Sequence, residues 1–361
     1  MSQAPRSIPG IITAIAIAFV VLTYALSFVI TIAAIIGTQL GPSLLSLNGF
    51  LPLEIFLLLI PGVLPANGLG LVLGFMVIFA LCFWAAAKDR GGFVNSLARL
   101  ARKAKPTTTP NWLVVMPLIS SVLLVLTVIL TISLNSAGVP VGNIPQSNPA
   151  ELFASVTFAP VAEEIGFRLT PIGLVVIIRT LLPLHRGRGL RNAGFATVIR
   201  RIMIALISPD RAKEAAGLPS IGTRGWRGIH WVEWILLVAS SAWFGLLHSL
   251  SGAGWGPGKA IPAGITGLAL GIVYLWYGAY ANILLHWFFD FYNIVVFGAI
   301  LGGRLSDILA TLAVLTSLFL AVAGIVYGIR WLKPQRPQSL QPPMVQMPPS
   351  ILIPEVKGRG G

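Results

Sequence analysis

The amino-acid sequence predicts an all-α fold, a polytopic transmembrane helix bundle of about eight spans, and three observations predict it. Hydrophobic residues make up 56% of the 361 and charged residues only 10%, against about 25% charge in an ordinary soluble domain. Apolar runs of about 20 residues, the length that crosses a bilayer as a helix, recur along the chain. The Lys and Arg residues cluster in a few of the connections instead of being spread evenly. This composition excludes a soluble globular protein, a disordered chain and a coiled coil. The single cysteine, Cys82, excludes a disulfide within the chain and a thiolate metal cluster.

The elements follow in order. The run at 11–37 is too long for a signal-peptide core of roughly 7–15 residues and reads as an uncleaved anchor. Segment 51–64 is apolar but short, with Pro52, Glu54 and Pro61, and reads as a re-entrant or interfacial helix. Spans follow at 69–87, 112–134 and 150–170. The run GLGLVLG at 68–74 lacks the dinucleotide-binding spacing and reads as helix packing. Segment 171–184 starts at Pro171, carries Arg179, and extends the fourth span or lies along the interface. Within the basic loop 185–230, IRRIMIALI (199–207) has the apolar and basic mix of a helix lying on a membrane surface. The last spans are 231–250, 261–281, 283–301 and 308–330, and Gly267 and Gly271 form a small-xxx-small packing pair. The Pro- and Gln-rich tail 333–361 is expected to be disordered.

Of the 25 Lys and Arg residues, 21 lie in 88–105, in 186–227, from 330 onward and at Arg6. Eight spans with the N-terminus inside place all 21 in the cytoplasm, with both termini there. The net charge of +14 is then topology and attraction to anionic lipid, and no nucleic acid is expected as a partner. The absence of disulfides together with this charge pattern points to a prokaryotic plasma membrane.

Ionisable residues inside spans cost about 2.5 kcal/mol or more and are functional candidates by default. Three constellations stand out. In PVAEEIGFR (160–168), Glu164 and Arg168 are four apart and can neutralise each other, which leaves Glu163 without a partner on its own helix. A structural Glu–Arg clamp explains the same residues. In WFGLLHS (243–249), Phe244 and His248 lie one turn apart, and a histidine there can simply bond a backbone carbonyl. In LLHWFFDFYN (284–293), His286 and Asp290 share a face, as a hydrogen-bonded pair or as two ligands of one metal ion.

In order and on separate spans, Glu-Glu-x-x-x-Arg, Phe-x-x-x-His and His-x-x-x-Asp resemble the CAAX protease and bacteriocin-processing (CPBP, or Abi) family of intramembrane proteases. Its best-known members are the Ras-converting CAAX prenyl endopeptidases. The resemblance covers about 150–300 and includes the texture of GLALGIVYLWYGAYANILLHWFFDFYN (267–293). It implies an intramembrane endopeptidase acting on a membrane-anchored peptide or protein among membrane lipids. It divides the chain into an N-terminal transmembrane region (1–149), a catalytic core (150–301), a last helix (302–332) and the tail.

The resemblance also implies roles. Glu163 and His248 activate a water, His286 and Asp290 stabilise the oxyanion, and Glu164 and Arg168 support the site. Asp290 departs from the Asn that the prenyl endopeptidases favour, and an ionised Asp cannot donate to an oxyanion. Asp290 is therefore protonated, orients His286, or binds metal. Glu163, His248, His286 and Asp290 would make a zinc site with an open position. Two rival readings use the same buried Glu/His cluster without proteolysis: a transporter relaying protons or metal, and a non-catalytic membrane scaffold. One tension is geometric: the spans put His248 near the outer end of its helix and His286 near the inner end of its own.

Overall fold

The computed structural model describes residues 8–102, 109–143, 148–186, 194–251, 254–292 and 304–332. The tail 333–361, and residues 293–303 with the end of the expected 283–301 span, lie outside the described residues. Residues up to Ile325 pack as one compact unit, while the stretch from Val326 forms a second, helical as far as Leu332.

The chain is a helical membrane bundle. Five described helices are long and apolar enough to cross a bilayer. They are α1 (Ile8–Gly37), α3 (Gly68–Lys88), α5 (Trp112–Ser136), α11 (Trp231–Leu250) and α12 (Ala260–Tyr277). Shorter helices α2 (Leu40–Ser46) and α4 (Phe93–Ala101) flank α3. The bent pair α6 (Pro149–Glu164) and α7 (Pro171–Arg186), which turn by 44°, is apolar enough to make a sixth candidate as a broken span or a re-entrant loop. The bend falls on a π-helical stretch, Ile165–Leu169, and Pro171 cannot donate to the ladder there.

The remaining two expected spans differ. After α12 the chain breaks at Gly278, whose φ of 103° suits only glycine, and restarts as the short α13 (Ala279–Trp287). A second π-helical stretch, Phe288–Tyr292, follows. The last helix, α14 (Arg304–Leu332), has an apolar stretch only over Val314–Ile329.

Segment 51–64 is not the helix the sequence predicts. It belongs to an antiparallel hairpin of β1 (Asn48–Ile55) and β2 (Leu58–Asn67), the only sheet among the described residues. Pro52, Pro61, Pro65 and Gly62 break any helix across it. Its turn is Phe56–Leu57, with φ of 47° and 66°. Such a turn normally carries Asn-Gly, so the sequence holds no turn signal at this point.

Packing against α13 fixes the position of that short helix. Helix α1 buries Ile17, Val21, Tyr24 and Thr31 at helical spacing, and the Tyr24 hydroxyl donates to the Leu284 carbonyl. Trp287 of α13 meets Tyr24, Phe28 and Phe79 at ring-centre distances of 4.6, 4.8 and 5.0 Å. Helices α11 and α12 cross closely through glycines, as the small-xxx-small pair predicts. A Cβ at Gly271 would run into Leu237, and one at Gly267 would lie 3.0 Å from Arg168 Nη2.

The basic loop is a folded cap. It contains α8 (Phe195–Ile207), α9 (Pro209–Ala215) and α10 (Ile221–Arg224). Fully buried Lys213 donates to Gly228 O at 2.9 Å and Glu233 Oε2 at 3.0 Å, and Arg179 Nη1 meets Glu233 Oε1 at 2.6 Å. Asp210 accepts from the Ile221 amide at 2.7 Å, and burial raises its carboxyl above the ordinary range. Helix α8 exposes Phe195, Ile199, Met203 and Ile207 at intervals of four, with Arg200 and Arg201 also exposed. That is the amphipathic pattern expected of 199–207.

Candidate active site

Three elements supply the acidic and imidazole groups: the end of α6, the end of α11, and α13 with the π-helical turn after it. All six residues singled out in the sequence are in described segments. Glu163 and Glu164 point apart by about 100°, as adjacent helical residues must. They nonetheless reach one imidazole from its two sides. Glu164 Oε1 lies 2.7 Å from His286 Nδ1, and Glu163 Oε2 lies 3.4 Å from His286 Nε2.

Glu164 is the hub. Its Oε1 also accepts from Arg168 Nη1 at 2.9 Å, and its Oε2 accepts from Asn282 Nδ2. Both Glu164 and Arg168 are fully buried. Arg168 Nη2 donates to the Gly267 carbonyl at 3.1 Å, and its guanidinium stacks 4.4 Å from the centre of the Phe244 ring. The clamp seen in the sequence is real, but it is also the holder of His286. Asp290 therefore does not fix the tautomer of His286 through Nδ1, because Glu164 occupies that nitrogen. Asp290 Oδ2 instead faces Nε2 at 3.4 Å, beside Glu163.

A carboxylate can only accept, so His286 Nδ1 carries the proton of its bond to Glu164. Its Nε2 then stands between two further carboxyl groups, and a proton must lie on Nε2 or on one of them. Glu163 and Asp290 keep side-chain exposures of 20% and 32%, whereas His286 has 5%. The two carboxylates thus form the open side of the cluster and the imidazole its floor.

His248 is held differently. Its Nδ1 donates to the Phe244 carbonyl at 2.9 Å, since a carbonyl can only accept. This is the backbone bond that a structural histidine would make. It also fixes the tautomer and leaves the Nε2 lone pair free for chemistry. The depth problem is resolved by Phe244, whose ring lies 4.5 Å from that of His248 and 5.9 Å from that of His286. The break at Gly278 allows it: α13 restarts the count, so His286 lies eight residues into a new helix.

Two residues of the cluster escaped the sequence reading. Asn282 lies one turn before His286, and 282, 286 and 290 form a polar stripe in an apolar helix. Glu54 was visible as an acid in an apolar segment, but its destination was not. The hairpin lays it on Gly166, where an added Cβ would meet Glu54 Cβ at 2.8 Å. Three hydrogen bonds fasten the hairpin tip. The Leu57 amide donates to Gly166 O at 3.1 Å, the Phe56 amide to Thr170 Oγ1 at 2.9 Å, and Trp243 Nε1 to Leu57 O at 3.0 Å.

Among the described residues no group of three or more His, Cys, Asp or Glu side chains is disposed to hold a metal ion. His248 Nδ1 is bonded to backbone and His286 Nδ1 to Glu164, so the nitrogen that each ring would offer a metal ion is Nε2.

The family model described as type II CAAX prenyl endopeptidase Rce1-like matches residues 145–292. The match takes in the three motifs and both π-helical stretches. No curated protein and no solved structure matches the chain.

Proposed function

From the premise that residues 145–292 belong to the Rce1-like family of type II CAAX prenyl endopeptidases, we propose that this integral membrane protein is an intramembrane endopeptidase. Its substrate is a membrane-anchored peptide or protein, and a prenylated CAAX-type chain is the form that the family description names. The observation that carries the reading is Glu163: partly open and 3.4 Å from an imidazole that two other side chains hold in place.

In this reading Glu163 takes a proton from water, and the hydroxide oxygen attacks the peptide carbonyl carbon. His248 Nε2, with its lone pair free, holds the same water. The negative charge moves to the carbonyl oxygen, which His286 Nε2–H stabilises as a donor. Glu164 accepts from Nδ1–H and balances the imidazolium that this requires. The carbon–nitrogen bond then breaks, and the proton on Glu163 passes to the leaving amine. Asp290 keeps the proton on His286 Nε2 between turnovers.

The test is a comparison of purified wild type, Glu163→Gln and His248→Ala on prenylated and unprenylated membrane peptides. Removing a general base is expected to cost about 10²–10⁴-fold in kcat, with peptide binding and melting retained in Glu163→Gln. A wild type that cleaves neither peptide overturns the proposal. Chelator treatment followed by zinc addition decides the mechanism. Activity indifferent to both agrees with the glutamate route, and loss restored by zinc replaces it with a metal route.

A further inference from the structure

Two carboxylate oxygens in this cluster are buried without a hydrogen-bond donor among the described residues: Glu163 Oε2 and Glu54 Oε2. The proposed reaction gives the first its partner, the attacking water. It gives the second none. Glu54 is no accident of a loose loop. Its strand is fastened at the tip by three hydrogen bonds to Gly166, Thr170 and Trp243, and its turn holds Phe56 and Leu57 at positive φ. Non-glycine residues adopt that conformation at a cost and persist in it only where the surroundings impose it. Gly166 is the one residue type that lets the Glu54 side chain rest there. The hairpin is therefore built to deliver this carboxylate to the π-helical turn that follows Glu163 and Glu164.

The charge around it defines what it can receive. Glu54, Glu163, Glu164 and Asp290 interact electrostatically with Arg168, His286 and Lys259. Arg168 is already committed to Glu164, and the Lys259 ammonium lies 3.7 Å from the centre of the Trp255 ring. With all four carboxyls ionised, four carboxylates against three cations would leave the site negative even with His286 protonated. A neutral donor would satisfy the oxygen but not the charge.

We propose that Glu54 is a specificity-determining residue that accepts a Lys or Arg side chain of the peptide substrate next to the scissile bond. The inference rests on the endopeptidase reading. The substrate's cation completes the site: it supplies the donor that Glu54 Oε2 lacks and neutralises the excess charge.

The experiment compares two membrane-anchored peptides that differ only by Lys against norleucine beside the cleaved bond. A charge-assisted hydrogen bond of about 1.5–3 kcal/mol gives wild type a preference in kcat/KM of roughly 10–100-fold for the Lys peptide. Glu54→Gln is expected to bring that ratio close to unity. Glu54→Asp, which keeps the charge, is expected to retain a clear part of it. A wild type without preference, or a Glu54→Gln ratio like that of wild type, overturns the assignment. If the variants do not melt cooperatively, uncleavable forms of the two peptides are compared as ligands of wild type. Equal affinities then overturn it. Because binding is read apart from cleavage, preferential binding of the Lys form with no turnover of either peptide sinks only the endopeptidase reading.

Discussion

At the scale of single residues, the site is a chain of carboxylates and imidazoles in which each group constrains the next. Glu164 bonds Arg168, His286 and Asn282 at once. Removing one partner of a buried ion pair strands the other, at a cost of about 3–5 kcal/mol. Arg168→Ala is therefore expected to lower the melting temperature and the yield together with activity. An unchanged thermal melt of that variant would contradict the clamp. Asp290 faces only the outer nitrogen of His286. An amide can both donate and accept, so Asp290→Asn is expected to retain activity within about tenfold if the carboxylate serves only to hold that proton. A deeper loss that added zinc restores would mark Asp290 as a ligand. The sequence showed these six side chains, and even the Glu164–Arg168 pairing, because i,i+4 spacing is a local property. It could not show that Glu164 rather than Asp290 grips Nδ1 of His286, since 122 residues separate the partners.

At the scale of elements, the two π-helical stretches and the hairpin do what regular helices could not. Each wide turn lies beside a catalytic candidate: Ile165–Leu169 directly after Glu164, and Phe288–Tyr292 two residues after His286 and containing Asp290. Extra residues inserted into a helix re-aim the side chains beside them. The hairpin fits against the first of these turns only because residue 166 has no side chain. Gly166→Ala is expected to push the hairpin off the site and to destabilise by about 1–3 kcal/mol, as overpacking does. Its activity is expected to fall by more than its stability explains, read as kcat/KM at a temperature where the variant is fully folded. Equal melting and equal activity would show that the hairpin has no part in the site. The hairpin was illegible in the sequence because prolines argue against helix without arguing for a strand, and because Phe-Leu is an atypical turn pair.

For the whole molecule, the apolar helices and the family match establish an integral membrane protein, while orientation is still the expectation drawn from charge. In a Cys82→Ala background, single cysteines at exposed Asn95 and Thr223 are expected to label only from the cytoplasmic side of sealed vesicles. One at exposed Val139 should label only from the opposite side. Labelling of Asn95→Cys from outside would reverse the topology. The first 110 residues, which resemble nothing by sequence, become intelligible in the fold. Helices α1 and α3 wrap α13 with Tyr24, Phe28 and Phe79 around Trp287, and so steady the helix that carries His286.

The sequence by itself determined that the chain lives in a membrane, where most of its spans run, and which three motifs are the candidates for the chemistry. Each of these is written in composition, in local periodicity or in spacing within one helix. The tertiary structure alone decided that the histidines of α11 and α13 meet across the Phe244 ring, that Glu164 holds His286, and that Glu54 arrives from a hairpin more than 100 residues away. Those facts depend on a glycine break, two π-helical turns and the close approach of a strand to Gly166. None of them has a local sequence period, because they are properties of how separate elements pack in three dimensions.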